Sequence, residues 1–107
     1  MTGAGSGLGQ AIAEKFAAAG AFVYCTDRNA DTAKSTAERI ARAGGQADSL
    51  LHDVTSEADC ARVAAAVFSR HRRLDVLMNN AGVGHVGTML TATGADFDRV
   101  LSVNVRG

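Results

Sequence analysis

The stretch Thr2-Gly3-Ala4-Gly5-Ser6-Gly7-Leu8-Gly9 constrains this chain more than any other, because every second residue from Gly3 to Gly9 is glycine. Glycines let backbone turn tightly and approach a ligand closely. A helix starting just after them presents free N–H groups and the positive end of its dipole, so a phosphate can be held there without a basic side chain. The spacing is TGxxxGxG. It does not fit G-x-G-x-x-G, since Gly3 and Gly5 would require glycine at Leu8, and Gly5 and Gly7 would require it at Gln10. It also lacks the Lys-Ser/Thr ending of a P-loop, which argues against a nucleoside triphosphatase.

Downstream, short β-branched or aromatic runs alternate with segments of helical spacing, the pattern of βαβ units and a parallel sheet. The spacing predicts a helix over Leu8–Ala19, with Leu8, Ile12, Lys15, Phe16 and Ala19 along one side. Ala21–Thr26 reads as a strand covered on both faces. Asn29 or Asp31 caps a helix running to about Ala43, a strand follows near Ala47–Leu51, and a helix runs from about Ser56 to His71 with Val63 and Val67 inward. Leu74–Met78 reads as another buried strand, and a helical segment runs from about Asp96 to Gly107.

The fold expected is therefore α/β: a Rossmann-type doubly wound parallel sheet, in which residues 1–107 form one partial NAD(P)-binding domain. In that design a strand precedes the glycine loop and lies between Ala21–Thr26 and Leu74–Met78, in the order 3-2-1-4. Only Met1 precedes Thr2. The chain is expected to be a piece of a longer domain, lacking that first strand and the C-terminal half, and to be poorly stable alone because backbone groups of the sheet lack partners.

Asp27 lies at the carboxyl end of the second strand, near the separation at which an acid reaches the adenosine ribose. A carboxylate there accepts from both ribose hydroxyls and repels a 2′-phosphate, which favours NAD over NADP. The adjacent Arg28 is the opposing feature, since a guanidinium can pair with a 2′-phosphate.

With these residues in place the chain resembles the single-domain branch of the short-chain dehydrogenase/reductase family. The matches are the glycine loop, Asp53-Val54 after the third strand, Asn79-Asn80-Ala81-Gly82 after the fourth, and Asn104 within Ser102-Val103-Asn104-Val105. The resemblance implies that Gly3, Ser6, Gly7, Leu8 and Gly9 cradle the cofactor diphosphate and that Asp27 and Arg28 meet the adenosine ribose. It further implies that Asp53 holds the adenine amino group, that Val54 packs beside the ring, and that Asn80, Ala81 and Gly82 line the ribose and nicotinamide side. Asn104 resembles the family's active-site asparagine, whose backbone carbonyl holds a water behind a catalytic tyrosine and lysine. The serine and the Tyr-x-x-x-Lys pair of the family fall beyond Gly107, and Tyr24 is no substitute, since Arg28 and not lysine stands four residues on. The resemblance implies hydride transfer between a nicotinamide and a small-molecule carbonyl or secondary alcohol in the full-length protein, with this piece alone inactive, and a homo-oligomeric assembly.

The remaining features are less specific. The 11 basic and 11 acidic side chains cancel, which offers nucleic acid no basic patch, and no apolar run approaches the length of a membrane span. Without a charged leader, a cytoplasmic setting is the default. Cys25 and Cys60 read as small buried residues, and His52, His71 and His85 as surface or loop residues with no metal-binding spacing. His85, in Gly84-His85-Val86-Gly87, is placed to touch substrate. Two other classes compete: a truncated, non-catalytic nucleotide-binding protein, and an extended-branch nucleotide-sugar epimerase, the latter disfavoured because its TGxxGxxG loop would put glycine at Ser6.

Overall fold

The computed structural model describes residues 1–107. Its elements in order are α1 (Gly7–Ala18), β1 (Phe22–Asp27), α2 (Ala30–Arg42), β2 (Gln46–Leu51), α3 (Glu57–His71) and α4 (Gly94–Leu101), the last running into a π-helical turn at Ser102–Arg106. Side-chain caps fix three of the starts. The Asn29 carboxamide accepts from the Asp31 and Thr32 amides, and Ser56 accepts from the Asp59 amide. Thr93 and Asp96 form a reciprocal capping box, so α4 begins two residues before the sequence pattern suggests.

β1 and β2 pair in parallel, from Phe22 opposite Gln46 to Asp27 opposite Leu51. On the other side of β1, Thr26 N donates to Met1 O and Ala4 N donates to Thr26 O. Thr2 N in turn donates to Met78 O. Residues 1–4 therefore lie between β1 and the segment ending at Met78, the place expected for the central strand. Leu74–Met78 itself forms no strand. A strand exists through a ladder to a neighbour, and Thr2 offers it a single backbone bond, so Leu74, Val76 and Leu77 remain more than half exposed.

The core is small and lies between β1 and the helices α1 and α2: Ala4, Ala13, Ala17, Val23, Cys25, Ala37 and Ile40. The buried face of α1 is Gly9, Ala13 and Ala17, one residue round from the expected stripe. Leu8 is 78% exposed, and Lys15 and Ala19 are also exposed. The reason is spatial. The helix approaches the glycine loop and sheet so closely that only the smallest side chains fit its inner face, and a Cβ on Gly9 would lie 2.0 Å from the Gly3 carbonyl oxygen. The opposite face of β1 carries Phe22 and Tyr24, whose rings pack against His71 of α3 at centroid distances of 4.6 and 5.6 Å. His71 is thus a packing residue and not a surface one. Cys25 is buried, and burial pushes its thiol up to about 11; Cys60 is only partly buried.

Candidate functional site

The glycine loop is held from three sides. Asn80 Nδ2 donates to the carbonyls of Thr2 (3.0 Å) and Gly3 (3.3 Å). Thr2 Oγ1 accepts from the Asn80 and Ala81 amides, both at 3.0 Å. From α2, the fully buried Thr36 hydroxyl donates to Ala4 O at 2.8 Å. Gly3, at φ +63°, and Gly7, at φ +54°, occupy the left-handed region where a Cβ is strained. A Cβ on Gly3 would lie 2.8 Å from Ala81 Cα.

These constraints leave the start of α1 bare. Ser6 stands at the N-cap without a side-chain cap, and the first turn carries no acidic residue. Orphan amides at a helix start are an anion site. Ser6, Gly7 and Leu8 are exposed there, while Gly9 is buried beneath and permits the close approach.

Asp27 sits at the end of β1, its Oδ2 accepting from the Gly5 amide and its Oδ1 from the Asn29 amide, each at 3.0 Å. A carboxylate offers about four acceptor positions, so both oxygens can still receive a hydroxyl. Arg28 is exposed and forms no ion pair, so its guanidinium stands free beside Asp27. Asp53 Oδ1 accepts from the Thr55 amide and hydroxyl at 2.9 and 2.7 Å, and these bonds hold its carboxyl below the usual range. Oδ2 takes no part in them.

A cleft of about 280 Å³ brings together Gly3, Asp27, Arg28, Asp53, Val54, Ala81 and Gly82, with His52, Thr55, Val83, Arg99, Ser102 and Val103 completing its walls. Ser6, Gly7, Leu8 and Gly9 lie outside it at the start of α1, and Asn80 lies behind it, bonding the loop. A Cβ on Gly82 would meet Asn104 Oδ1 at 3.6 Å, an ordinary contact, so nothing within the chain itself requires glycine there. His52, expected at the surface, is buried against Thr26 and Cys60.

Asn104 reaches the same region from the π-helical turn. Its Oδ1 accepts from Val83 N at 2.9 Å and its Nδ2 donates to Val83 O at 3.0 Å. Arg99 donates to Gly84 O at 3.0 Å, and His85 Nδ1 lies 3.3 Å from Asp96 Oδ1. Successive loop residues Val83, Gly84 and His85 are therefore bound by Asn104, Arg99 and Asp96. In an unbroken α-helix Asn104 would lie about 140° round the axis from Arg99. The π-turn absorbs one extra residue and returns it to the loop-facing side.

Sequence reasoning gives Thr2, Thr36 and His52 no role. Threonine carries no distinctive signal in a strand or helix, and a histidine between a strand and a turn reads as solvent-facing. The hint for His52 is its position directly after the last residue of β2, where the chain has not yet left the sheet.

A parallel sheet with a glycine-rich turn between a strand position and a helix, and acids at the carboxyl ends of the next two strands, defines an α/β protein of the Rossmann type. Comparison with known proteins narrows the class: the short chain dehydrogenase family profile matches residues 1–107, and the chain belongs to that family. It is 40% identical over its whole length to the probable oxidoreductase EphD of Mycobacterium tuberculosis, covering 18% of that protein. It is 41% identical over 105 residues to the 7alpha-hydroxysteroid dehydrogenase of Escherichia coli, covering 98% of this chain and 41% of that protein. Among solved structures, a hydroxysteroid dehydrogenase from Escherichia coli superposes with a TM-score of 0.91 at 41% identity, over 98% of this chain and 44% of its own. A metagenomic short-chain oxidoreductase in complex with NADP superposes at 0.88 with 39% identity, over 96% of this chain and 47% of its own. The chain thus spans less than half the length of each of these relatives.

Proposed function

We propose that this chain is the cofactor-binding part of an NAD(P)-dependent oxidoreductase acting on a small-molecule carbonyl or secondary alcohol. The observation that carries the reading is the joint geometry of the bare α1 start and the cleft in which Asp27, Asp53, Val54 and Gly82 converge. A backbone cradle that a Cβ would fill, beside an acid-lined cleft, fits a dinucleotide.

In this reading the amides around Ser6, Gly7 and Leu8 hold the diphosphate, and Gly3 and Gly9 keep the backbone close enough to do so. Asp27 accepts from the adenosine ribose hydroxyls, Asp53 Oδ2 accepts from the adenine amino group, and Val54 packs on the ring. Asn80 holds the loop in shape while Ala81 and Gly82 keep the wall on the nicotinamide side low. When bound, the nicotinamide supplies hydride transfer, and the organic reactivity is the cofactor's. Asn104, its side chain committed to Val83, has its backbone in the π-turn, where displaced carbonyls are available to hold a water. That is the role proposed for it in a proton path completed by residues beyond Gly107. The intact protein is read as a cytoplasmic homo-oligomer.

Asp27 sets NAD ahead of NADP, because a 2′-phosphate would face its carboxylate at close range. Calorimetric titration of the intact protein with both cofactors tests this. NAD is expected to bind at least tenfold more tightly, and Asp27→Ala is expected to remove most of that preference. Tighter NADP binding by the unaltered protein would assign the ribose contact to Arg28, and no binding of either cofactor would overturn the reading.

A further inference from the structure

A hydrogen-bonded chain beneath the adenosine end of the cleft is left unused by the cofactor reading. His52 immediately precedes Asp53, is 9% exposed and lines the cleft. Its Nδ1 lies 3.1 Å from Thr26 Oγ1 at the end of β1, and its Nε2 lies 3.4 Å from Cys60 Sγ on α3. Thr26 has one hydroxyl proton, and the Met1 carbonyl 3.2 Å away can only accept it. With the proton so placed, Thr26 Oγ1 accepts from Nδ1–H, and Nε2 keeps its lone pair for the Cys60 thiol, a weak donor. A neutral imidazole has a partner for both ring nitrogens when the Cys60 proton turns to Nε2, at 3.4 Å, rather than to the Val54 carbonyl 3.7 Å from Sγ. An imidazolium does not, because its second N–H would meet only a sulfur, itself a poor acceptor.

We propose that His52 is a positioning residue for the adenosine end of the cofactor: neutral, it ties β1 to α3 and holds Asp53 and Val54 in the cleft wall; protonated, it turns toward the cleft it borders and weakens binding. The inference rests on the cofactor reading above. The groups facing the ring are mixed in sign. Asp59 on α3 and the neighbouring Asp53 favour the extra proton, Arg62 on α3 opposes it, and burial, the largest influence, holds the imidazole below its ordinary value. Water reaches this buried ring from the cleft, so an imidazolium seeking solvation moves into the space the adenine needs.

The test uses the intact protein and NAD, since the 2′-phosphate of NADP would itself titrate in the relevant range. From pH 8 down through the His52 midpoint, which burial sets below the ordinary imidazole value, the NAD dissociation constant is expected to rise toward a limit of about tenfold, the equivalent of one or two hydrogen bonds. By reciprocity, saturating NAD is expected to lower the NMR titration midpoint of His52 by about one unit. His52→Asn places an amide where Nδ1 sits but cannot take up a proton, and its NAD affinity is expected to stay within about twofold across the same range. An equal rise in the variant, or a His52 midpoint unmoved by NAD that demonstrably binds, overturns the inference while leaving the cofactor reading intact. If the variant does not fold, the NMR titration of the unaltered protein decides alone. Absence of NAD binding at pH 8 overturns both.

Discussion

Gly9→Ala isolates the close approach between α1 and the glycine loop. In an exposed helix interior this change stabilises by about 0.5–1 kcal/mol, through the lower chain entropy of alanine. Here the new Cβ would lie 2.0 Å from the Gly3 carbonyl oxygen, 2.8 Å from its carbon and 2.6 Å from Asn80 Nδ2, where ordinary contact begins at 3.4 Å. Two of those three atoms are backbone, pinned in turn by the Asn80 carboxamide, so no rotamer change relieves the clash. Overpacking against yielding side chains costs about 1–3 kcal/mol, and an unyielding neighbour places this site at or above the upper end. After the propensity gain is subtracted, the expected net loss is about 2 kcal/mol, roughly thirtyfold in the folding equilibrium. Denaturant unfolding of the intact protein measures it, with Gly7→Ala as the comparison. Gly7 carries left-handed strain at φ +54° but has no atom within 4 Å of the new Cβ, so its cost is about 1–2 kcal/mol. A Gly9→Ala protein as stable as the parent, or more stable than Gly7→Ala, would refute the claim that close approach and not flexibility requires glycine at that position.

Three further outcomes follow from the same geometry. Thr2→Val removes the acceptor of the Asn80 and Ala81 amides and is expected to destabilise by about 2–4 kcal/mol, with faster hydrogen exchange at those two amides; Thr2→Ser, which keeps the hydroxyl, is expected to avoid most of that loss. Asp96 is held below the usual carboxylate range by the Thr93 hydroxyl and amide, so its contribution to stability is present above its unfolded pKa near 3.8 and is lost as pH falls through the lower folded value. Acid titration of helix content should therefore show Thr93→Ala less sensitive than the parent below pH 3.8. In a thiol-labelling time course near pH 8, the partly exposed Cys60 reacts in the folded state, whereas Cys25, its thiol raised to about 11 by burial, reacts only on unfolding; equal native rates would contradict the placement of Cys25 in the core.

Much of the architecture was legible because its signals are local. The caps at Asn29 and Ser56 lie where short polar side chains precede apolar periodicity, and Gly44 ends the second helix region at φ +84°. The position of residues 1–4 between β1 and Met78 followed from topology rules for parallel sheets. What sequence could not give was decided by proximity. Apolar periodicity chose Leu8 and Phe16 for the inner side of α1; Phe16 does pack partly against the core, but contact with a bare loop left Leu8 outside and selected Gly9, Ala13 and Ala17, residues with little hydrophobic signal. Leu74–Met78 has the composition of a strand, yet composition does not supply a ladder partner. Of the candidate site, Asp27, Asp53 and Asn104 were recognisable from type and order, whereas Thr2, Thr36 and His52 act through partners 26 to 79 residues distant or through burial, which spacing does not record.

The three bonds from Asp96, Arg99 and Asn104 to His85, Gly84 and Val83 also bear on how this region can change over evolutionary time. Each contact depends on a side chain being at the right angle on the helix, and one inserted or deleted residue between Asp96 and Asn104 would swing the next contact away by about 100°. Length is therefore fixed there while side-chain identity at the outward positions is free to drift. Chain length can vary without that penalty only on the far side of His85, in the exposed stretch before Thr93.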